Sequence, residues 1–233
     1  MRCLLPLLLT IVVTLSVVAA PIPPDDAGAK LKRIYGTWES PKGCSWKFSG
    51  EELCISLPAD RYGMEAKGNG PTGVARVLRE VEGDFTAVVR VAFPNPADVS
   101  KASRMDFHGG GLMAQATEQD YVVARRAVVT QTMPHETFMS LNHTGSIDTC
   151  SVTFIAQSTQ AKRGFIRLKR EGQTVTTEFT IDQKEWRSIQ PKIQVKWGPK
   201  VKVGIVAENV FGAPVDITFD EFKLTLVETA TKP

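Results

Sequence analysis

The sequence predicts an all-β fold of about eleven or twelve strands in one domain. Three observations predict it. Asp84–Phe93 (DFTAVVRVAF) places Phe85, Ala87, Val89, Val91 and Phe93 at alternate positions. Strand side chains point to opposite faces in turn, so these residues share one face of a half-buried strand. Similar runs recur to the C-terminus, and no long helical pattern interrupts them. Finally, no segment repeats at a fixed period of about 20–50 residues, which argues against a propeller or solenoid. A chain of 233 residues suffices for one β-sandwich or barrel with a sizeable core.

Residues 1–20 (MRCLLPLLLTIVVTLSVVAA) combine a basic start, an apolar run and small terminal residues. This is a secretory signal pattern, with Val17 and Ala19 at the small positions if cleavage follows Ala19. An uncleaved membrane anchor is the rival; Thr10, Thr14, Ser16 and the terminal alanines favour the signal. The expectation is an exported chain with no membrane contact after cleavage. Residues 21–35, opening on PIPPDDAG, read as an extended linker or disordered leader. Folded structure is expected to begin between Ile34 and Trp46, with the domain over residues 36–228 and a tail over 229–233.

Trp46 and Phe48 form a hairpin with Leu53, Ile55 and Leu57 across Ser49–Glu52. Matching the apolar sets puts Phe48 opposite Leu53 and Trp46 opposite Ile55. In that register Cys44 points inward and Cys54 outward, so a Cys44–Cys54 disulfide is disfavoured. A link to Cys150, or none, is the alternative; three cysteines after cleavage leave at least one unpaired within the chain. Gly63–Gly73 reads as a loop, Val74–Val81 as a strand, and Pro94–Phe107 as a long polar loop. Gly109–Ala116 and Tyr121–Val129 are strands, and Thr130–Thr149 is a long connection. Strands follow at Thr149–Gln157, Arg163–Arg170 and, after a tight Glu171–Gly172 turn, Thr174–Ile181. Asp182–Trp197 is turn-rich and Val201–Ala207 is a strand. In the last strand Val215, Ile217 and Phe219 are odd, while Phe222, Leu224 and Leu226 are even. One extra residue near Asp220–Glu221, a β-bulge, accounts for the change of phase.

Hydrophobic residues at 42% and charged residues at 23% mark a globular body. The net charge of +3 includes Arg2 of the signal segment and gives no strongly basic face, which argues against a nucleic-acid partner. The basic stretches Arg163–Arg170 and Lys192–Lys202 read as solvated strand faces.

Six segments together resemble one family: VLREVEGDF (Val77–Phe85), GGLMAQ (Gly110–Gln115), YVVARR (Tyr121–Arg126), FIRLKREGQTVTTEFTIDQKEW (Phe165–Trp186), VKVGIVAEN (Val201–Asn209) and VDITFDEFKL (Val215–Leu224). It is the regulation-of-enolase-like family, largely of unknown function, within the concanavalin A-like lectin/glucanase superfamily. The resemblance covers roughly residues 36–228. It implies a jelly-roll sandwich of two curved antiparallel sheets, in a superfamily that often binds or cuts saccharides on the concave sheet. It supplies no established catalytic set, so function must be argued from the site.

The superfamily's glucanases carry Glu-x-Asp-x-x-Glu. Here Glu118-x-Asp120 is followed by Val123, and Glu82-x-Asp84 by Ala87, so the triplet is incomplete. Asp106-x-His108 is too small a ligand set for a metal, and neither Cys-x-x-Cys nor a Gly-x-Ser-x-Gly elbow occurs. No cofactor is expected. The triple glycine Gly109–Gly111 precedes a strand and reads as a bulge or close sheet packing. Asn142-His143-Thr144 has the form of a glycosylation sequon.

Saccharide binding needs aromatic faces beside planar polar groups. Trp186 and Trp197, in turn-rich sequence, are candidate exposed aromatics; Gln115, Arg125 and Glu178 are candidate polar groups on strands. Arg125 and Arg126 interrupt an apolar strand, so at least one must reach a carboxylate or solvent. The bland alternative is structural ion pairs for the arginines and core positions for the tryptophans. The leading expectation is an exported, non-catalytic module that binds an oligo- or polysaccharide. A glycoside hydrolase with a non-standard carboxylate pair and a structural or protein-interaction sandwich are the alternatives.

Overall fold

The computed structural model describes residues 26–60, 62–64, 70–94, 107–129, 136–144, 151–156, 163–210 and 213–227. One helix, α1 (Ala27–Ile34), precedes fourteen strands among the described residues: β1 (Thr37–Glu39), β2 (Ser45–Ser49), β3 (Glu52–Leu57), β4 (Ala75–Glu82), β5 (Asp84–Ala92), β6 (Phe107–Thr117), β7 (Asp120–Val129), β8 (Glu136–Thr144), β9 (Ser151–Ala156), β10 (Arg163–Glu171), β11 (Thr174–Thr180), β12 (Arg187–Gln194), β13 (Lys200–Asn209) and β14 (Val215–Val227). They form two seven-stranded antiparallel sheets. Sheet A runs β1-β4-β13-β6-β7-β8-β9, and sheet B runs β12-β11-β10-β5-β14-β3-β2.

The alternating strands behave as their sequence dictates. On β5, residues 85, 87, 89 and 91 are buried while their neighbours are half-buried. On β2 and β3, Trp46 opposes Ile55 and Phe48 opposes Leu53, as apolar matching requires. The register of β14 against β5 slips between Asp220 and Lys223, and Glu221 sits there at φ 50°. This is the bulge that the phase change in sequence demands.

The fourteen strands exceed the eleven or twelve expected, the three-residue β1 supplying one of the additions; three further differences from the sequence reading have physical causes. The stretch expected to be a leader carries α1, because Asp26 caps it by accepting from the Ala29 N–H at 3.0 Å. Lys32 and Arg33 complement the last turn. The helix is anchored as well as capped: Leu31 and Tyr35 are buried, Tyr35 stacks on Phe222 at 5.1 Å, and its hydroxyl donates to the Phe219 carbonyl at 3.2 Å. The chain then turns at Gly36, whose φ of 123° and contact with the Leu78 carbonyl exclude a side chain. The other two differences are β8 and β12, strands within stretches read as connections. Both carry polar residues that turn inward, so neither shows clean alternation.

The inner faces meet in one core that includes Val77, Phe85, Val89, Leu112, Phe138, Ile166, Phe179, Ile205, Ile217 and Phe219. Gly110 lies at a close approach of the two sheets. A Cβ there would stand 2.6 Å from Ile217 Cγ2 and 2.9 Å from Phe219 Cζ. This is the close packing expected of the triple glycine. Sheet A also buries its other face: Met64, Val74, Leu78, Met113, Tyr121, Val123, Leu141 and Val206 form a second cluster. Met64 belongs to the excursion between β3 and β4, which is tied down by paired backbone hydrogen bonds between Tyr62 and Asn209 (2.7 and 2.8 Å).

Gly110→Val should overpack the inter-sheet contact and lower stability by about 1–3 kcal/mol. Urea denaturation checks this; an unchanged midpoint would contradict the contact.

Candidate functional site

Antiparallel register brings a polar row together on the outer face of sheet A. Glu80 (β4) pairs with Lys202 (β13), Lys202 with Gln115 (β6), Gln115 with Tyr121 (β7), and Tyr121 with His143 (β8). Five neighbouring strands thus contribute a carboxylate, an ammonium, an amide, a phenol and an imidazole. With strands about 4.8 Å apart, the row spans roughly 19 Å. At one end it opens into a groove of about 380 Å³ lined by Glu80, Gln115, Ala116, Thr117, Glu118, Lys200, Val201 and Lys202.

Arg76 organises this end. It is buried on β4, and its guanidinium donates to Glu39 (Nε to Oε2, 2.9 Å), Gln115 Oε1 (3.2 Å) and Glu118 Oε1 (3.3 Å). The bond to Gln115 Oε1 fixes the side-chain amide and points its NH₂ away from Arg76. Lys202 Nζ donates to Glu39 Oε1 at 3.0 Å, and Lys200 pairs with Glu80 at 3.4 Å. Burial pushes the Glu39 carboxyl up, but the bonds from Lys202 and Arg76 outweigh it and hold the group below its ordinary value. At the other end, the Tyr121 and His143 rings stack at 5.3 Å, and His143 Nδ1 lies 2.5 Å from the Gln119 carbonyl. Only a protonated Nδ1 can donate there, which fixes the tautomer of a neutral ring.

The predicted site residues fall in three places. Gln115 belongs to the row just described. Arg125, on the same face of sheet A, is 1% exposed; it is ion-paired with the fully buried Glu208 and lies 4.6 Å from the Phe107 ring centroid. It has found the carboxylate that its apolar strand required. Glu178 lies on the outer face of sheet B, bonded to Arg167 at 2.6 Å. Arg167 in turn covers the half-buried Trp186 at 4.1 Å. Trp197, expected to be an exposed aromatic, is 4% exposed and belongs to the core. Gln173 holds its backbone from both sides, at 3.0 Å each. Sequence reasoning missed Arg76, Glu39, Glu118, Lys202, Tyr121 and His143, because cross-strand partners are far apart in sequence. A charge at Glu208 within the apolar run VKVGIVAEN was a usable signal for the partner of Arg125.

Other sequence features resolve into structure. Arg126 turns inward and donates to the Val91 carbonyl at 2.9 Å, and burial lowers its pKa to about 10. His108 is buried, and desolvation pushes it down to about 4. Among the described residues no group of three His, Cys, Asp or Glu could hold a metal. The sequon's Asn142 is half-buried and points between the sheets, where its Oδ1 accepts from Gln190 Nε2 at 3.3 Å. Cys44 and Cys54 are free thiols, and Cys150 lies outside the described residues. No helix among the described residues is long and apolar enough to cross a membrane.

Residues 47–226 match the family model described as a protein of unknown function, DUF1349, so the chain belongs to that family. No curated protein matches it in sequence. A functionally unknown protein from Saccharomyces cerevisiae is similar in structure, with a TM-score of 0.64 and 19% identity over 82% of this chain and 96% of that one. The legume lectin-like domain from Entamoeba histolytica has a TM-score of 0.53 and 11% identity, covering 86% and 93% of the two chains. The marine PL7 alginate lyase AlyA1 from Zobellia galactanivorans has a TM-score of 0.52 and 12% identity, covering 84% and 98%. These likenesses establish a concanavalin A-like jelly-roll sandwich.

The lowered pKa of Glu39 has a signed consequence. Its stabilisation is fully present above the ordinary value of 4.5 and is lost as pH falls through the lower folded value. Glu39→Gln should therefore be less stable than the parent near neutrality, with the gap closing in acid. Denaturation of both proteins at about pH 7 and about pH 3 measures this; a gap that ignores pH would contradict it.

Proposed function

We propose that this chain is an exported, non-catalytic module that binds oligosaccharide in the groove at the Glu80–Lys202 end of sheet A's outer face, sheet A being taken as the concave sheet of the jelly roll. The observation that carries this reading is the register row ending in the Gln115 groove. Saccharide hydroxyls both donate and accept. A fixed amide, an ammonium and carboxylates held in one line offer partners of both kinds. Arg76 holds Glu39, Gln115 and Glu118 before any ligand arrives, which reduces the ordering cost of binding. The lectin-like and lyase neighbours support a sugar partner by analogy of fold alone. Within its family, we group the chain with the regulation-of-enolase-like proteins on the six segments quoted above.

The binding reading is favoured over glycoside hydrolysis by Glu39. A glycosidase keeps one carboxyl protonated near neutrality. Lys202 and Arg76 shift Glu39, beside the groove, the opposite way. The face bearing Trp186 is less suited. A hollow of about 140 Å³ near it is lined by Phe179, Thr180, Ile181, Asp182, Glu185 and Arg187, without the tryptophan.

A glycan array followed by calorimetry on the secreted chain tests the reading. Binding to at least one oligosaccharide is expected, weakened about tenfold or more by Gln115→Ala or Lys202→Ala, measured at a temperature where circular dichroism shows each variant folded. Absence of binding to every saccharide, or indifference to both substitutions, would remove it. Export has its own check: N-terminal sequencing of the secreted chain should begin at Ala20, and an intact N-terminus held in the membrane fraction would overturn it.

A further inference from the structure

Between the sheets, where β8 faces β11 and β12, the core stops being apolar. Phe138 of β8 stacks on Phe179 of β11 at 4.2 Å. Further along β8, Asn142 accepts from Gln190 of β12. Gln190 lies in register with Thr177, which is two residues from Phe179 on β11. Ser140 lies midway between Phe138 and Asn142 on the same face of β8, so it faces Thr177. Ser140 and Thr177 are each 0% exposed. Ser140 Oγ, Thr177 Oγ1 and Gln190 Oε1 are buried, with no hydrogen-bond partner among the described residues. Three unpartnered polar atoms from three strands thus lie on the facing surfaces of one inter-sheet layer.

The backbone of β12 is shaped to complete that layer. Its register against β11 shifts on both sides of Gln190, one shift spanning Pro191. Bulges re-aim side chains, and proline is tolerated at them. The result sends Gln190 across to sheet A beside the inward-facing Ile189.

Buried polar atoms in folded proteins are almost always satisfied, and a buried water typically makes about three hydrogen bonds to such groups. We infer that this layer is a water-binding site, in which one molecule bridges Ser140 Oγ, Thr177 Oγ1 and Gln190 Oε1. The donor count balances. The water donates to the amide oxygen and to one hydroxyl, and accepts from the other. It thereby ties β8 to β11 and β12 beside the Asn142–Gln190 bond. This site stands apart from the saccharide reading.

A high-resolution crystal structure of the secreted chain should show solvent density within about 3 Å of all three atoms. A dry contact there would overturn the proposal. Thr177→Val gives an independent sign. If the hydroxyl is bonded to water, removing it lowers Tm by about 2–4 °C; if it has no partner, removing it raises Tm. Ser140→Ala and Thr177→Val should also be less than additive, because they share one water. A raised Tm or strict additivity would count against the site.

Discussion

Sheet A is buried on both faces, and much else follows from that constraint. Its inner face packs on sheet B, and its outer face carries the cluster around Met64, Met113 and Val206. A sheet in this position has no solvent side to receive charge along its middle. Polar groups must therefore be paired inside or displaced to the strand ends. Arg125 and Glu208 take the first course as a buried ion pair. Such a pair adds little net stability, but it makes loss of either partner costly, by about 3–5 kcal/mol. The row from Glu80 to His143 takes the second. Its central members are covered, and its Glu80–Lys202 end meets solvent in the groove.

The same constraint decided what could be read from sequence. Sheet B strands with one wet face alternate, and β5, β2–β3 and the β14 bulge were legible to the residue. Strands of sheet A lose that alternation, as doubly buried strands do. On β6, residues 108–115 are all buried, so apolar character marks a strand there without marking its faces. β8 escaped because its inward set includes Ser140 and Asn142, polar residues that face the other sheet. β12 escaped because Pro191 and two register shifts break its period. Boundaries at the N-terminus failed for a different reason. A short helix of low apolar content is stabilised by its Asp26 cap and by Tyr35 docking on residues nearly 190 positions away.

Candidate site residues were less legible than strands. Gln115 was chosen for its chemistry, and the structure puts it in the groove. The two tryptophans were chosen for their turn-rich context, which does not report burial: Trp197 sits in the core, and Trp186 is capped by Arg167. Arg76, the residue that unites Glu39, Gln115 and Glu118, gave no signal. Its partners come from β1, β6 and the β6–β7 turn, and only the register of sheet A brings them within reach.

That dependence on register bears on what kind of site this is. Each member of the row is placed by a strand rather than by a loop, and Arg76 restrains three side chains at once. Such a site offers fixed donors and acceptors to a ligand that enters the groove at the Glu80–Lys202 end. It is poorly arranged for proton transfer at Glu39, since Lys202 and Arg76, which order that carboxylate, also favour its ionised form. Under the proposed reading, rigid placement and paired charge suit holding a saccharide in the groove better than cutting it.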